Sequence, residues 1–474
     1  MRPGSVCRHL KIAGRAIISR FFHVTSQQPR KLQHIPYNGP PPQTIYPQSG
    51  GVSFQLPASS TGYFGVYIPP YATAGQSEVL QTKLKDWFTT CTATMTVVVV
   101  TSPGLSTEMN TIGGNNEADE YYKGVDSNIY QLSWPGTWQY ANITALAGAP
   151  NADYLSPVVS QVDPLYNRSE VFYLDSNQNI EELYYDHKTW SHTNLTALAK
   201  VPAAAAGSPL VSLVNPYAKT IQLDYLDSVG HIHELWSPNR ATWYGDDLTV
   251  GAGAPAAALN SSLVTEINQV ANTVEIYFLG TDNHVRELWF SPTTWRWYSS
   301  DPTAAAGAPN AANGSALVSL SNPIANTVQV DYLDSAGHIH ELWWNGTWHT
   351  DDLTAATGAP VAATGSSLAT EVNTLSNPNT VELYYIAHNQ TVQELWFNPT
   401  PWVWNYANPS GSAGAPQAVV GSPLVSLVNT RANSVQVHYI STDDHVHELY
   451  TWNWTTWYTD DVNNSSNDPN NAEP

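Results

Sequence analysis

The chain has little of what usually marks a disulfide scaffold, a membrane protein or a nucleic-acid binder. Among its 474 residues are two cysteines, Cys7 and Cys91, and a single pair cannot build a disulfide framework. No apolar run reaches the roughly 20 residues that a membrane-spanning helix requires. Lys and Arg number 18 against 39 Asp and Glu, for a formal net charge of -21. The basic footprint that nucleic-acid binding demands is therefore missing.

The few basic residues are also unevenly spread. Arg2, Arg8, Lys11, Arg15, Arg20, Arg30 and Lys31 all precede the first acidic residue, Glu78. Arg8, Lys11 and Arg15 would share a helical face opposite Ile12, Ile17 and Ile18. An Arg-rich, acid-free amphipathic start looks like a mitochondrial presequence, while Arg15 and Arg20 interrupt any secretory apolar core. A disordered extension is the other reading of residues 1–34. Both leave this leader outside the fold, and without a signal peptide the remaining destinations are the cytoplasm or non-classical secretion. Residues 35–91 are rich in Pro, Gly, Ser and Tyr, with Gly39-Pro40-Pro41-Pro42 and Ile68-Pro69-Pro70, which excludes long helices. Short strands are expected at 52–56 and 63–68.

What the sequence has in abundance is repetition. The stretch His338-Ile339-His340-Glu341-Leu342-Trp343 returns around Glu182, Glu234, Glu287, Glu394 and Glu448, with a degraded copy around Gln131, at steps of 51 to 54 residues. A period of this size marks a solenoid or a propeller. Each unit reads as four strands. For the unit of Glu341 these are 316–321, 327–333, the marker strand and 347–353, alternating and rich in β-branched residues. Asp334-Ser335-Ala336-Gly337 and Asn345-Gly346 supply the turns. A Gly-Ala-Pro connector follows most units, ending at Pro150, Pro255, Pro309, Pro360 and Pro416, with Lys200-Val201-Pro202 as the exception and no copy after Trp457. An aromatic ring stands nine residues before every marker: Tyr122, Tyr173, Tyr225, Phe278, Tyr332, Tyr385 and Tyr439. The degraded unit has one too, so the units number seven.

Antiparallel four-stranded units repeated seven times escape exposed edges by radial closure. The fold expected is all-β, a seven-bladed β-propeller of four-stranded antiparallel blades over residues 92–462, with 463–474 as a disordered tail. Two unit types alternate. Those of Glu234, Glu341 and Glu448 share a second-strand Gln (Gln222, Gln329, Gln436) and an Asp-Asp pair; those of Glu182, Glu287 and Glu394 carry a second-strand Glu (Glu170, Glu275, Glu382), and two of these have Trp-x-Trp, at Trp295/Trp297 and Trp402/Trp404. Seven units cannot alternate without a fault. The junction between the Glu448 and Gln131 units is expected to differ from the rest.

Residues two apart on a strand share a face, so the marker Glu and the ring two residues later point together into an interblade cleft. No Lys or Arg recurs at a fixed repeat position, so the partners of Glu182, Glu234, Glu287, Glu341, Glu394 and Glu448 must be backbone or indole N–H, tyrosine, histidine, or the hydroxyls of a ligand. One reading is architectural: the Glu fixes blade geometry. The other is carbohydrate binding, in which a carboxylate accepts vicinal sugar hydroxyls while Trp or Tyr covers the C–H face of the sugar ring. Weak sites copied around a ring then add by avidity.

A second strand of the form Val-x-Val-x-Tyr, a turn, then (Ile/Val)-x-Glu and a Trp seven to nine residues on, resembles the fungal fucose-specific lectin propellers. His-Ile-His-Glu-Leu-Trp with Asp-Leu-Thr and Ala-Gly-Ala-Pro resembles related bacterial and fungal seven-bladed lectin repeats. The resemblance covers roughly residues 92–462. It implies a multivalent lectin for fucose-like or related monosaccharides, O-methylated ones included. It also implies ligand contacts by the marker glutamates and by Trp190, Trp243, Trp295, Trp348, Trp402 and Trp457. In the fucose lectins an Arg twelve residues before the Glu completes the site. Here that position holds Glu170, Gln222, Glu275, Gln329, Glu382 and Gln436, a departure that leaves Gln222, Gln329 and Gln436 as candidate contacts in its place.

The pairs His231/His233, His338/His340 and His445/His447 have spacing that can hold Zn²⁺ or Cu²⁺. No third ligand is seen to recur with them, and no metal or other cofactor is expected. Paired acids such as Asp351-Asp352 read as solvated strand ends, and the Asn-x-Ser/Thr sequons as by-products of composition. Catalysis requires one asymmetric site, and acids repeated in every unit point to binding, so no enzyme activity is expected. The partners expected are glycans or glycoproteins, or a second copy of the chain. The alternative function is a protein-interaction propeller that binds no sugar.

Overall fold

The computed structural model describes residues 104–472, apart from 113–115, 187 and 420, together with four earlier strands. The chain divides into two units, residues 1–72 with 76–99, and 73–75 with 100–474. In the first, Phe22–Thr25 pairs antiparallel with Thr61–Phe64, and Ser77–Lys85 with Thr90–Val98. The rest of the basic leader, and the strand expected at 52–56, lie outside the described residues.

The second unit is a ring of seven four-stranded antiparallel sheets, each in simple sequence order. Blades 1 to 7 begin at Leu105, Val159, Leu210, Leu263, Leu317, Leu368 and Leu424. The expected architecture is therefore present, with the first blade starting at Leu105. In blade 5 the strands are Leu317–Asn322, Thr327–Leu333, Ile339–Trp344 and Trp348–Asp352. First strands touch one another in cyclic order, and that of blade 7 touches that of blade 1. Apolar burial is correspondingly divided into seven clusters, each shared by two adjacent blades. One joins Phe172, Leu174 and Ile180 of blade 2 to Leu210, Leu223 and Trp243 of blade 3. Such a ring gains its stability from interfaces between neighbours.

The connectors hold more structure than the sequence suggested. After every fourth strand the chain makes a one-turn helix, for example Leu353–Thr357, whose N-cap Asp352 accepts from the Ala355 N–H and whose C-cap Gly358 sits at φ 68. The second acid of each Asp-Asp pair (Asp247, Asp352, Asp461) is thus a helix cap and not a solvated strand end. Thr354 on this turn accepts the backbone N–H of Ile339 at 2.9 Å, which ties the connector to the start of the marker strand. The connector proline carbonyls then receive the tyrosines found nine residues before the markers. Tyr173, Tyr225, Tyr332, Tyr385 and Tyr439 donate to Pro150, Pro202, Pro309, Pro360 and Pro416 at 2.6 to 2.8 Å. Glycine is required at Gly337, where φ is +81 and a Cβ would lie 2.7 Å from the Ala362 carbonyl oxygen.

Residues 463–472 do not form the expected disordered tail. Val462–Ser466 is the seventh one-turn helix, capped by Asp461 and ended by Asn467 at φ 57. Ala472 bridges Gly124 of blade 1 as Ala152, Ala257, Ala362 and Ala418 bridge the following blades elsewhere. Tyr122, the aromatic of the degraded unit, donates to Asp468 at 2.5 Å. Residues 462–472 are therefore the seventh connector. It was hidden because Asn467-Asp468-Pro469 replaces Gly-Ala-Pro, and Asn is the commonest non-glycine residue in the left-handed region.

The junction of blades 7 and 1 differs from the others, as the failed alternation required. His438 of blade 7 places Nε2 2.7 Å from Glu120 Oε1 of blade 1, both fully buried. Burial alone would lower the pKa of this imidazole, but the facing carboxylates of Glu120 and Glu448 turn the shift upward.

Candidate functional site

The marker residue sits mid-strand and faces the following blade. On its face, the cross-strand partner in the second strand is Tyr121, Phe172, Asp224, Tyr277, Asp331, Tyr384 or His438, in blade order. Four of these rings meet a tryptophan of the next blade: Tyr121 meets Trp190, Tyr277 meets Trp348, Tyr384 meets Trp457 and His438 meets Trp138. At the same end of the ring, the first turn of one blade touches the last turn of the next. Tyr166 Oη donates to the Pro238 carbonyl at 2.9 Å, and Arg431 Nη2 to that of Pro135 at 2.5 Å. Each cleft is thus walled by the second and third strands of one blade and the last turn and fourth strand of its neighbour.

The marker glutamates lie deep in these clefts. Glu182, Glu234, Glu287, Glu341, Glu394 and Glu448 are 2 to 7% exposed. Burial raises their carboxyl pKa values, to about 8 for Glu287 and about 7 for Glu448. For Glu234 and Glu341 burial also comes first, and the neighbouring Asp224 and Asp331 carboxyls push the same way. Much of their bonding is internal. Gln222 and Gln329 donate through Nε2 to Glu234 and Glu341, and Gln436 bonds to Glu448. Ser300 Oγ donates to Glu287, and Arg168 stands 3.7 Å from Glu182. Glu234 also receives the Trp297 indole N–H. The second-strand glutamines thus pin the marker carboxylates, which is the architectural role weighed above.

The second-strand glutamates of blades 4 and 6 are more completely satisfied. Glu275 accepts from Asn268, Thr273 and Tyr277, and Glu382 from Asn373, Thr380 and Tyr384. In both clefts the tyrosine fills the space beside the marker. In blades 3 and 5 the same position holds a short acid. Asp224 and Asp331 are buried, and one carboxylate oxygen of each, Oδ1, has no hydrogen-bond partner in the protein.

The six expected tryptophans fall into two groups. Trp190 and Trp348 open the fourth strand and Trp243 and Trp457 immediately precede it; all four reach the preceding blade, with Trp243 and Trp457 5 and 6% exposed. Trp295 and Trp402 do not share that place. They occupy the turn before the fourth strand at φ 53 and 75, and are 64 and 57% exposed. The equivalent interblade residues are Trp297 and Trp404, three positions before the residues that pair with Glu287 and Glu394. The last turns of blades 4 and 6 are longer, which shifted the spacing, and the second Trp of Trp-x-Trp was the signal.

Sequence reasoning gave less weight to the ring two residues past the marker, at the mouths of the clefts after blades 2 to 7. Trp236, Trp289 and Trp343 are half-buried and stack on Tyr244, Tyr298 and His349 at 4.5, 4.5 and 4.0 Å. The Trp236 and Trp343 indoles donate to Asp246 and Asp351 at 2.8 Å, which fixes their orientation. In blade 2 the Arg168 guanidinium lies 4.1 Å above the Tyr184 ring, and Arg240 of blade 3 crosses the cleft to Asp163 and Glu170.

Solved structures share this fold. The BP39L lectin from Burkholderia pseudomallei superposes with a TM-score of 0.59 at 13% identity, over 76% of this chain and 98% of that one. A mutant of AofleA from Arthrobotrys oligospora gives 0.48 at 17% identity over 65% of this chain and 86% of that one. The Aleuria aurantia lectin, described as a six-bladed propeller with a novel mode of fucose recognition, gives 0.44 at 14% identity over 65 and 96%. No protein-family model matches the sequence, and no curated protein matches it either. The chain has a β-propeller fold, shared with the first of these structures. The resemblance drawn from its repeat thus holds in three dimensions, with seven blades. Among the described residues no helix is long and apolar enough to cross a membrane.

The expectation that no third ligand accompanies the histidine pairs is overturned. At the opposite end of blades 3, 5 and 7 the turn aspartate (Asp227, Asp334, Asp443) and the helix-cap aspartate (Asp247, Asp352, Asp461) both approach them. The turn aspartate stands just ahead of the His-x-His strand in sequence, and the cap aspartate, 14 or 16 residues after the first histidine, is brought there by the one-turn helix.

Proposed function

We propose that the protein is a multivalent lectin that binds monosaccharide units at the mouths of its interblade clefts, without catalysis. The observation that carries this reading is the repeated pairing of a half-exposed, side-stacked aromatic ring with a buried carboxylate two residues before it, on a fold shared with a lectin. The ring offers an apolar platform for the C–H face of a sugar, and the acids behind it offer acceptors to its hydroxyls. Repetition around the ring supplies avidity.

The clefts after blades 3 and 5 fit this role best. There Asp224 and Asp331 replace the Tyr, Phe or His that fills the other clefts, and each keeps an unpartnered oxygen. Trp236 and Trp343 form the platforms, Asp246 and Asp351 orient them, and Gln222 and Gln329 hold the marker glutamates from behind. The ligand class is a fucose-like monosaccharide or an O-methylated relative, whose apolar edge suits an indole and whose remaining hydroxyls suit carboxylates. Glycans or glycoproteins are the partners.

A glycan array probed with the full chain tests this. Binding to a defined set of glycans is expected, with Trp236→Ala and Trp343→Ala together lowering the signal at least about tenfold, as loss of an aromatic contact worth 1 to 2 kcal/mol per site and of avidity would. Retention of no glycan would refute the lectin reading and favour a propeller that binds proteins through its acidic surface.

A further inference from the structure

At the end of blade 7 opposite the clefts, two aspartates close on the His-x-His strand. One ligand atom each from Asp443, His447 and Asp461 lies within 4.8 Å of the other two. His447 Nε2 is 3.2 Å from Asp443 and 3.9 Å from Asp461, and His445 Nδ1 is 2.9 Å from Asp461. A charge-assisted bond between imidazole and carboxylate is shorter than the His447 spacings, at about 2.7–2.9 Å. Two ligands each about 2.0–2.1 Å from a tetrahedral zinc ion stand roughly 3.3 Å apart. The spacings around His447 straddle the second value.

Blade 4 provides an internal comparison. At the His447 position it carries Arg286, whose guanidinium joins Asp282 at 2.5 Å and Asp301 at 3.0 Å, while His284 lies 3.0 Å from Asp301. The fold thus sets two carboxylates around one cation at this place, and blade 4 supplies that cation covalently. In blades 3 and 5 the cap aspartates stand 2.8 Å from His231 and His338, much as Asp461 does from His445, and only in blade 7 among the described residues does the cap aspartate also come within 4 Å of the second histidine.

The ligand atoms of blade 7 are held from outside. Asp443 Oδ1 accepts from Ser441 Oγ and from the His445 N–H, leaving Oδ2 toward His447. Asp461 Oδ1 caps the Asn464 N–H at 2.9 Å and Oδ2 receives the Asn464 side chain at 2.5 Å. His447 is buried with Nδ1 unpartnered, whereas Asp443 is half exposed, so the cluster opens to solvent on one side.

We propose that blade 7 binds one divalent transition-metal ion, zinc by its nitrogen and oxygen donors, through Asp443, His447 and Asp461, with His445 holding Asp461 in place. The site is independent of glycan binding. The test is zinc content and calorimetric zinc titration of the chelator-treated full chain near neutral pH. Wild type is expected to retain about one ion more than His447→Arg, which copies blade 4 and fills the place with a guanidinium. Asp443→Asn, at a half-exposed turn, is expected to weaken zinc binding at least about tenfold while leaving the melting curve in the absence of metal unchanged. A wild-type protein that retains no zinc, or variants that retain as much as wild type, would overturn the proposal and leave the cluster as imidazole–carboxylate pairing alone.

Discussion

Replacing Asp331 by Asn should change how the stability of the ring depends on pH. Asp331 faces Glu341 across neighbouring strands inside blade 5, and burial raises its pKa from 3.8 to about 8. Below pH 3.8 the carboxyl is protonated in both folded and unfolded chains and favours neither. As the pH rises further, the unfolded chain releases the proton while the folded one keeps it, so stability falls with each pH unit until the pH passes the folded value near 8. The slope is about 1.4 kcal/mol per pH unit. Between about pH 5 and pH 8 this carboxyl alone therefore removes on the order of 4 kcal/mol. An amide of the same shape titrates nowhere in this range. In urea unfolding followed by tryptophan fluorescence, the advantage of Asp331→Asn over wild type should be about 4 kcal/mol larger near pH 8.5 than near pH 5. Wild type retains a slope of the same sign from Glu287 and Glu266, which burial raises to about 8 and about 7. Parallel profiles for the two proteins would refute the assignment of a buried Asp331 carboxyl that keeps its proton up to about pH 8.

Other perturbations test closure and the connectors. His438→Leu strips Glu120 of its buried partner 2.7 Å away, and should cost about 3–5 kcal/mol in urea unfolding, as removal of one member of a buried pair does. Ending the chain at Asp461 removes the seventh connector with its Tyr122–Asp468 bond, and should lower the melting temperature and broaden the calorimetric transition. Tyr332→Phe deletes the 2.6 Å bond to the Pro309 carbonyl, for an expected loss of about 1 kcal/mol. The reverse change is informative in blade 4, where Phe278 already stands at the equivalent place: Phe278→Tyr should gain about the same amount if its hydroxyl reaches the Pro255 carbonyl.

The ring was legible in the sequence because its interfaces are built from the repeat itself. The aromatic nine residues before each marker and the proline of each connector were two separate regularities in the chain, and in space they are one hydrogen bond made in five of the seven connections. Tyr122 preserves its half of that bond in the degraded unit. Its partner had therefore to exist, and it is Asp468 beside Pro469, in a segment whose Gly-Ala-Pro lettering had been lost. The marker strand also gave the right face for Glu341 and Trp343, since alternation on a strand is fixed by the backbone. Depth was not fixed in the same way. Whether a carboxylate two positions from a half-exposed indole is itself exposed depends on what the neighbouring blade puts opposite it. Trp295 and Trp402 stood at the expected spacing, but the longer turn puts Trp297 and Trp404, two residues on, at the interblade place. The same holds for the acid at the second-strand position. Asp331 and Tyr384 are equivalent in sequence, yet one leaves an oxygen unpartnered while the other donates to Glu382 and fills its cleft. If ligand recognition resides in these clefts, it is set by that one side chain more than by the glutamate on which the repeat is centred.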